Sequence, residues 1–393
     1  MWKRQSFNSN STPLLLNPAW GLEKSVVKLY VLIVLIVLVF QVRKPQPSPV
    51  LKRADLRMPR FESVPSSFVS LNDKVIVLTG KIANIQQLAT MHIIWVLTGG
   101  PSVGGANGIG ECVVRSLYAA GAHIVFGDID EPGCQSLVES LKKEVSSTSS
   151  ICYQRTDVRS YDDNLSLFAL AYEKHGRIDH AFAIAGVAEL PKENWFDPQL
   201  SIESVAAAPS MTVVDVNLTG VLYFTRIAAV YLRQGNDDGS QDKSICILGS
   251  VASFKEQTGL FIYSPAKHGV LGLVRSTRKY LSHTHRIRIN VVCPSMTKTR
   301  MSVETLRVWA EQGVPGNEPQ EVADYVLTLA SVPRSPYVGE MTGLAVFVEG
   351  GKGWEIEKDL DKCDASWIGE EMSRNAVKIE QALEYGLAWV DPK

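Results

Sequence analysis

Apolar positions along the chain follow two different patterns. Residues 29–40, LYVLIVLIVLVF, form one unbroken apolar run within the segment 26–42. From residue 71 onward, short apolar runs typical of strands alternate with longer segments of helical periodicity. This alternation predicts an α/β fold with a parallel sheet. We expect one α/β domain over residues 71–354 and a C-terminal helical extension over residues 355–393.

The first unit of this domain is readable in detail. VIVLTG (75–80) predicts a strand, ECVVRSLYAAGA (111–122) a helix that ends at Gly121, and HIVFGDID (123–130) a second strand. A strand, a glycine-rich turn, a helix and a strand begin a doubly wound dinucleotide-binding sheet of the Rossmann type. The turn residues Gly105, Gly108, Ile109 and Gly110 would let the backbone and the helix N-terminus approach a pyrophosphate.

Residues 81–104 interrupt this unit, because the glycine turn should follow the first strand at once. Joining Gly80 to Gly105 restores VIVLTGGANGIGE, so we pair Thr79 and Gly80 with the later glycines. Our hypothesis is that residues 81–104 are a foreign insertion encoded by an unspliced intron, since Gly80-Lys81 can be encoded by GGTAAG, which contains a splice-donor sequence. The alternative is a genuine loop that carries the apolar stretch MHIIWVL. A dominant transcript that reads through these codons would contradict the hypothesis.

The N-terminal region divides into a tail (1–25), an apolar segment (26–42) and a Pro-rich basic linker (43–70). The apolar segment is at the lower length limit for a membrane span, and no small-residue cleavage site follows it. We therefore predict a single uncleaved anchor; the other interpretation is an apolar segment that does not span the membrane. Basic residues are more frequent after the run than before it, which places the catalytic domain in the cytosol. A start at Met58 is the alternative, and it would give a cytoplasmic protein without the span.

Composition narrows the classes of function. The chain has 45% hydrophobic residues, 21% charged residues and a net charge of −1, which gives no electrostatic argument for a nucleic-acid partner. Its six cysteines have neither a C-x-x-C pair nor a metal-ligand spacing, so we expect free thiols and no metal site.

Acidic residues after two strands suggest how a cofactor is held. Asp128 closes the second strand, where a carboxylate accepts hydrogen bonds from the adenosine ribose and repels a 2′-phosphate. NAD(H) is therefore favoured over NADP(H). Asp157 and Val158 follow the third strand and would lie beside the adenine.

A second group of residues suggests proton transfer. ICILGS (245–250) predicts a strand that ends at Ser250, and Tyr263 and Lys267 are spaced by one helical turn. A neighbouring ammonium group favours phenolate, which predicts a lowered pKa for Tyr263.

With these motifs in place, residues 71–354 resemble the short-chain dehydrogenase/reductase family, and the wording of the tail resembles fungal members that modify secondary metabolites. The resemblance rests on LNDKVIVLTG, GANGIG, VNLTG (216–220), RIRINVVCPSMTKT (286–299) and VFVEGG (346–351). It implies a catalytic tetrad of Asn217, Ser250, Tyr263 and Lys267. It also implies cofactor contacts from Ala185, Gly186, Pro294, Thr297 and Thr299, and from Tyr263 and Lys267 themselves.

The implied reaction is hydride transfer between nicotinamide and a secondary alcohol or ketone of a small apolar metabolite. Tyr263 would be the general acid/base, Ser250 would bind the substrate oxygen, Lys267 would tune Tyr263, and Asn217 would position a relay water. The family also implies a homo-oligomer. The alternatives are an NADP(H)-dependent ketoreductase and a catalytically inactive Rossmann binding protein.

Two departures from the family pattern bear on the site, besides the interruption. Ile184 stands where the family has an asparagine that supports the sheet, and Ser295 stands where it usually has a glycine. In the C-terminal extension, Trp367, Met372, Ile379 and Leu383 predict an apolar stripe that covers the substrate mouth, contacts a subunit or is buried on the domain surface.

Overall fold

The computed structural model describes residues 60–80, 108–144, 149–189, 195–236, 238–299, 302–335, 339–386 and 388. Residues 58–393 belong to one compact unit. The predicted tail, the apolar segment 26–42, residues 43–59 of the linker, the insertion 81–104 and Gly105 lie outside the described residues.

The strands build one large sheet and one small ribbon. Their bounds are Arg60–Phe61 (β1), Val75–Thr79 (β2), His123–Asp128 (β3), Ile151–Arg155 (β4), His180–Ala183 (β5), Lys243–Leu248 (β6), Ile287–Pro294 (β7), Arg334–Ser335 (β8), Gly339–Glu340 (β9), Ala345–Glu349 (β10) and Lys352–Glu355 (β11). Among the described residues, nine strands pair in the order β1-β11-β10-β7-β6-β5-β2-β3-β4, and β8 pairs with β9. The strands from β10 to β4 in this order are parallel to one another. β11 pairs antiparallel with β10, and β1 pairs antiparallel with β11.

The helices lie between these strands in sequence. Their bounds are Ile109–Ala119 (α1), Glu131–Glu144 (α2), Tyr161–His175 (α3), Thr212–Leu232 (α4), Tyr263–His285 (α5), Val303–Glu311 (α6), Pro319–Ser331 (α7), Glu357–Trp367 (α8) and Glu370–Ala382 (α9). Short 3₁₀ turns occur at Pro65–Leu71, Ser204–Ala206, Val251–Ser253 and Glu384–Gly386.

The alternating faces of β2 explain why helices cover both sides of the sheet. Every residue of this strand is buried. Ile76 and Leu78 belong to a core cluster that includes side chains of α1, α2 and α7, whereas Val75 and Val77 belong to a second cluster with α3, α4 and α5. Parallel sheets are stable when both faces are covered in this way. The predicted doubly wound Rossmann sheet is confirmed.

The strand order places a crevice at the carboxyl ends of β2 and β5. From β2 the chain continues to β3 and β4 on one side, and it returns to β5 on the other side of β2. In open α/β sheets this reversal point is where ligands bind. The site residues are therefore expected after these strands.

One helical run among the described residues, Thr212–Leu232, is long and apolar enough to cross a membrane, with a mean hydropathy of 1.4 in its most apolar window. Half of that window is buried inside the fold. Phe224 and Ala228 of this run belong to the core beside the sheet. A core helix of a globular domain has the same properties, so this helix is weak evidence for a span.

The C-terminal extension is helical, as its sequence predicted, and α8 begins at Glu357. Its apolar stripe is not buried on this chain, because Trp367, Met372 and Ile379 are 71%, 63% and 61% exposed. The extension is tied to α5 by the ion pair between Lys279 and Glu380. Lys279 follows the first residue of α5 by about 24 Å of helix, so at this contact the extension is far from the start of α5.

Candidate active site

The crevice between β2 and β5 is shaped by a glycine that no other residue can replace. Gly80 has a φ of +98°, and a Cβ atom at this position would lie 2.4 Å from the backbone nitrogen of Ala185. That nitrogen donates to the carbonyl oxygen of Thr79 at 3.1 Å, which fixes the approach of the two strand ends. Thr79 itself is buried, and its carbonyl oxygen is the acceptor in this contact.

A pocket opens at this crevice and brings together most of the predicted adenosine-side residues. Six of the residues that line it were predicted from the sequence to bind the cofactor: Gly80, Asp128, Asp157, Val158, Ala185 and Gly186. The sequence did not single out the other lining residues, which are Gly127, Ile129, Thr156, Arg159, Val187 and Val216. The side chain of Asp128 is at the end of β3 and accepts a hydrogen bond from the backbone of Asp130 at 2.8 Å.

Asp157, which the sequence predicted to lie beside the adenine, forms an ion pair with Arg159 in this pocket. Its carboxylate accepts hydrogen bonds from the guanidinium group of Arg159, the closest at 2.6 Å. The Arg159 hydrogen bonds hold the pKa of Asp157 below its usual value, against the opposing effect of burial. An arginine two residues after the acid was the available sequence signal.

Gly108, Ile109 and Gly110 form the start of α1, as the glycine turn predicted. Gly108 is the N-cap residue, no side chain among the described residues caps the helix, and all three residues are buried. Free N–H groups and the positive end of the helix dipole at this position suit a phosphate group. Gly105, which would complete the turn, is outside the described residues.

Ser250 is held in position by a tight turn after β6. Its hydroxyl accepts from the backbone of Ala252 at 3.1 Å, and its own N–H donates to the hydroxyl of Ser253 at 3.1 Å. This reciprocal pairing caps the 3₁₀ turn Val251–Ser253. The side chain of Ser250 is close enough to Tyr263 to lower the pKa of its phenol, so the predicted serine and tyrosine lie near each other.

Tyr263 is the first residue of α5, and Lys267 lies one turn further along. The ammonium group of Lys267 is 5.8 Å from the centre of the Tyr263 ring and donates to the carbonyl oxygen of Leu248 at 2.8 Å. Lys267 is 3% exposed. The strand end, the serine and the first turn of α5 therefore converge on one small polar site.

The sequence predicted a lowered pKa for Tyr263, and this prediction is wrong, because the pKa is raised. Burial raises the pKa of Tyr263, and the nearby Ser250 side chain opposes this effect only in part. Burial also lowers the pKa of Lys267 from 10.5 to about 8. The sequence spacing placed a cation beside the phenol correctly, but it did not reveal how strongly both groups are desolvated.

Asn217 lies in a π-helical turn, Asp215–Thr219, within α4. Its side-chain oxygen accepts from Val187 N at 3.0 Å, and its side-chain nitrogen donates to Val187 O at 2.8 Å. Wide turns of this type are frequent at functional sites. A Cβ atom on Gly186 would lie 3.0 Å from that side-chain oxygen, which explains why a glycine occupies this position.

The segment after Pro294 is fixed by a buried asparagine that the sequence did not reveal. The side chain of Asn317 donates to Val348 O at 3.0 Å and accepts from Gly351 N at 3.1 Å. Its backbone pairs with the segment that carries Thr297 in an isolated parallel bridge. Thr297 and Thr299 are both buried, and Asn317 links their segment to the end of the sheet.

Ile184 does not leave a gap in the sheet. Its side chain is 1% exposed and packs in the core cluster with Phe182 and Leu248. Its backbone nitrogen donates to Thr79 O at 3.0 Å, so the main chain makes the connection between β5 and β2. The departure from the family asparagine is thus accommodated by apolar packing.

Known proteins are similar to this chain in sequence and in fold. A family model described as enoyl-(acyl carrier protein) reductase matches residues 104–352. Short-chain dehydrogenase/reductase ascJ of Acremonium egyptiacum is 32% identical over 254 residues, covering 64% of this chain and 72% of that protein. The chain belongs to the short-chain dehydrogenase/reductase family.

Two further relatives of this short-chain dehydrogenase/reductase extend the comparison. 5′-Hydroxyaverantin dehydrogenase of Dothistroma septosporum is 25% identical over 283 residues, covering 68% of this chain and 89% of that protein. The crystal structure of 3-ketoacyl-(acyl-carrier-protein) reductase from Brucella melitensis complexed with NADH matches with a TM-score of 0.54 and 21% identity, covering 72% of this chain and 98% of that chain. The second comparison concerns the fold.

Membership makes the protein an oxidoreductase, an alcohol dehydrogenase or ketoreductase of a family that binds a nicotinamide cofactor. The described residues fit such a dinucleotide. The close approach at Gly80, the pocket beside Asp128 and the uncapped start of α1 provide, in order, a crevice, an acceptor for hydroxyl groups and donors for phosphate.

Proposed function

We propose that the protein is an NAD(H)-dependent enzyme that interconverts a secondary alcohol and a ketone of a small apolar metabolite. Tyr263 is the general acid/base, and Asn217, Ser250 and Lys267 complete the catalytic group. The observation that carries this proposal is the position of the Lys267 ammonium group, 5.8 Å from the centre of the Tyr263 ring, with the Ser250 side chain near the same phenol. A serine beside the tyrosine can bind the same substrate oxygen that the tyrosine protonates.

The proposed steps follow from the positions of these groups. The nicotinamide, when bound, supplies or accepts the hydride. Ser250 donates a hydrogen bond to the substrate oxygen, where negative charge develops during reduction. Tyr263 gives its hydroxyl proton to that oxygen in reduction and removes a proton in oxidation. Because burial raises the pKa of Tyr263, its phenol is protonated at neutral pH, as a general acid in reduction requires.

Asp128 supports the preference for NAD(H) over NADP(H). Its carboxylate lines the pocket and is 5% exposed, so a 2′-phosphate beside it would meet a buried negative charge. Arg159, the cation among the described residues that line this pocket, is engaged by Asp157 in a bidentate pair. Both observations favour a ribose with free hydroxyl groups.

The test is turnover of NADH with a panel of aliphatic and aromatic ketones by the full-length chain and by Tyr263→Phe. We expect Tyr263→Phe to lower kcat about 100-fold or more, because only the proton donor is removed. Tyr231→Phe is the matched control, since Tyr231 is a half-buried phenol packed on Phe168 away from the site. Undiminished kcat in Tyr263→Phe, or NADH binding without turnover of any ketone, would contradict the proposal.

We further propose that residues 26–42 anchor the enzyme by one N-terminal span, with the catalytic domain in the cytosol. The support is the apolar run 29–40 and the basic residues that follow it. We also propose the domain limits stated in the sequence analysis and assembly of the enzyme as a homo-oligomer. Carbonate-resistant membrane association of the full chain, lost in a chain that starts at Met58, would support the anchor. Equal partitioning of both chains into the supernatant would contradict it.

A further inference from the structure

The helix that begins with Tyr263 has no local cap. Ile262, at the N-cap position of α5, makes no side-chain cap, and the first turn of the helix has no acidic residue. The first N–H groups of a helix have no partner within the helix, and they carry the positive end of its dipole. Since Tyr263 is the first residue of α5, any motion of this end moves the phenol directly.

A carboxylate distant in sequence supplies the missing cap. Glu189 accepts hydrogen bonds from three consecutive backbone N–H groups, those of Phe261 at 3.1 Å, Ile262 at 3.1 Å and Tyr263 at 2.9 Å. Its negative charge lies at the positive end of the helix dipole, which is favourable. One side chain thus fixes the start of α5 from outside the helix.

The segment that carries Glu189 is itself fixed to the site. Val187, two residues earlier, is held by both polar atoms of the Asn217 side chain. A second contact lies near the start of α5, where the rings of Phe196 and Phe261 pack edge to face with their centres 4.9 Å apart. A continuous path therefore runs from Asn217 through Val187 and Glu189 to the backbone of Tyr263.

We propose that Glu189 is a positioning residue for proton transfer: its carboxylate holds the backbone of Tyr263 so that the phenol meets Ser250 and the substrate oxygen. This inference rests on the function proposed for Tyr263. Glu189 acts through Tyr263 and takes no part in the chemical step. A displacement of about 1 Å at a reacting group can cost 100-fold in rate, so loss of this tie is expected to reduce kcat.

The experiment compares Glu189→Ala and Glu189→Gln in the full-length chain, with NADH and the best ketone from the panel. We expect Glu189→Ala to lower kcat by about 10-fold to 100-fold, with an unchanged Kd for NADH. Hydrogen exchange of the amides of residues 261–263 should become faster. Glu189→Gln keeps the side-chain length and one acceptor oxygen, so it should restore most of kcat. If Glu189→Ala does not fold, Glu189→Asp decides, since its shorter side chain should lower kcat while NADH binding persists.

Glu355→Ala is the matched control for the loss of a cap. The Glu355 carboxylate also accepts from backbone N–H groups at a helix start, those of Glu357 at 2.9 Å and Lys358 at 3.0 Å, but this helix carries no residue proposed for catalysis or cofactor binding. We expect Glu355→Ala to lower the thermal midpoint and to leave the kcat of the folded enzyme unchanged.

Equal loss of kcat in Glu189→Ala and Glu355→Ala would overturn the inference, as would a kcat of Glu189→Ala within about twofold of the wild type. Tyr263→Phe separates this failure from failure of the proposed function. If Tyr263→Phe loses activity and Glu189→Ala keeps it, only the role of Glu189 is wrong. If Tyr263→Phe keeps activity, both proposals are wrong.

Discussion

The side chain of Asn217 and the backbone of Val187 are joined by two hydrogen bonds of 3.0 Å and 2.8 Å. The side-chain amide of Asn217 accepts one hydrogen bond from Val187 and donates one to it, and Val187 lies in the segment that follows β5. Each group of a side-chain amide has a second hydrogen-bonding position, so Asn217 can hold the segment and still bind a water molecule. The predicted relay role and the observed structural role are therefore compatible.

We expect Asn217→Ala to lower kcat by at least about tenfold and to weaken NADH binding, because Val187 lines the cofactor pocket and loses two hydrogen bonds. Steady-state kinetics and NADH fluorescence titration measure the two effects. Asn236→Ala is a matched control, since Asn236 makes the same pair of bonds to the backbone of Gln241 in a turn outside the site. Similar kinetic losses in both variants would argue against a specific role for Asn217.

Asp128→Ala should change cofactor preference. Removing the carboxylate removes an acceptor for the ribose hydroxyl groups and a repulsive charge beside a 2′-phosphate, so the Kd for NADH rises and the Kd for NADPH falls. We expect the ratio of the two constants to change by about tenfold, which corresponds to the loss of one hydrogen bond to a charged group. Fluorescence titration with both cofactors measures it. Glu139→Ala, which removes an exposed acid from α2, should leave the ratio unchanged.

How far the sequence predicted the site depends on whether each contact is local. The turn of glycines, the acid after β3 and the spacing of Tyr263 and Lys267 are properties of short segments, so they were readable directly. The ties through Glu189 and Asn317 join residues 72–74 and 31–34 positions apart, respectively. A lone glutamate and a lone asparagine have no periodicity or spacing that announces such partners, so only the folded chain reveals them.

The pKa of Tyr263 illustrates a second limit. The direction of its shift is set by burial, which outweighs the opposing effect of the Ser250 side chain, and burial is a property of the whole fold. The sequence placed Lys267 one turn away but gave no measure of desolvation. The C-terminal stripe is similar: the periodicity of Met372 and Ile379 predicted an amphipathic helix correctly, yet amphipathicity does not specify what covers the apolar side.

The buried ammonium group of Lys267 makes stability depend on pH. Burial lowers its folded-state pKa from 10.5 to about 8, so between these values the unfolded chain binds more protons than the folded one. The contribution of Lys267 to the free energy of unfolding is therefore unfavourable below about pH 8, and the penalty decreases as the pH rises towards 10.5. Its full size is on the order of 3 kcal/mol.

Lys267→Met removes this charge, so its free energy of unfolding relative to the wild type should decrease as the pH rises from 7 to 10. Urea unfolding of both cofactor-free proteins at pH 7, 8.5 and 10 measures this difference, and the pH trend is independent of the lost hydrogen bond to Leu248. Lys255→Met, which alters an exposed lysine, should show no such trend. A difference that is constant with pH would show that the Lys267 ammonium group is not desolvated in the folded protein.

The segment 81–104 can be tested by deletion, which joins Gly80 directly to Gly105. Gly80 packs against the backbone of Ala185 at the crevice, and α1 begins shortly after Gly105, so the joined chain has the length of an uninterrupted phosphate turn. We expect the deletion protein to bind NADH at least about tenfold more tightly than the full-length chain, because the N–H groups at the start of α1 then follow β2 without a break. Fluorescence titration of both proteins with NADH and NADPH measures this. Equal binding of NADH by the two proteins would identify the segment as a tolerated loop and would contradict the hypothesis that it is foreign.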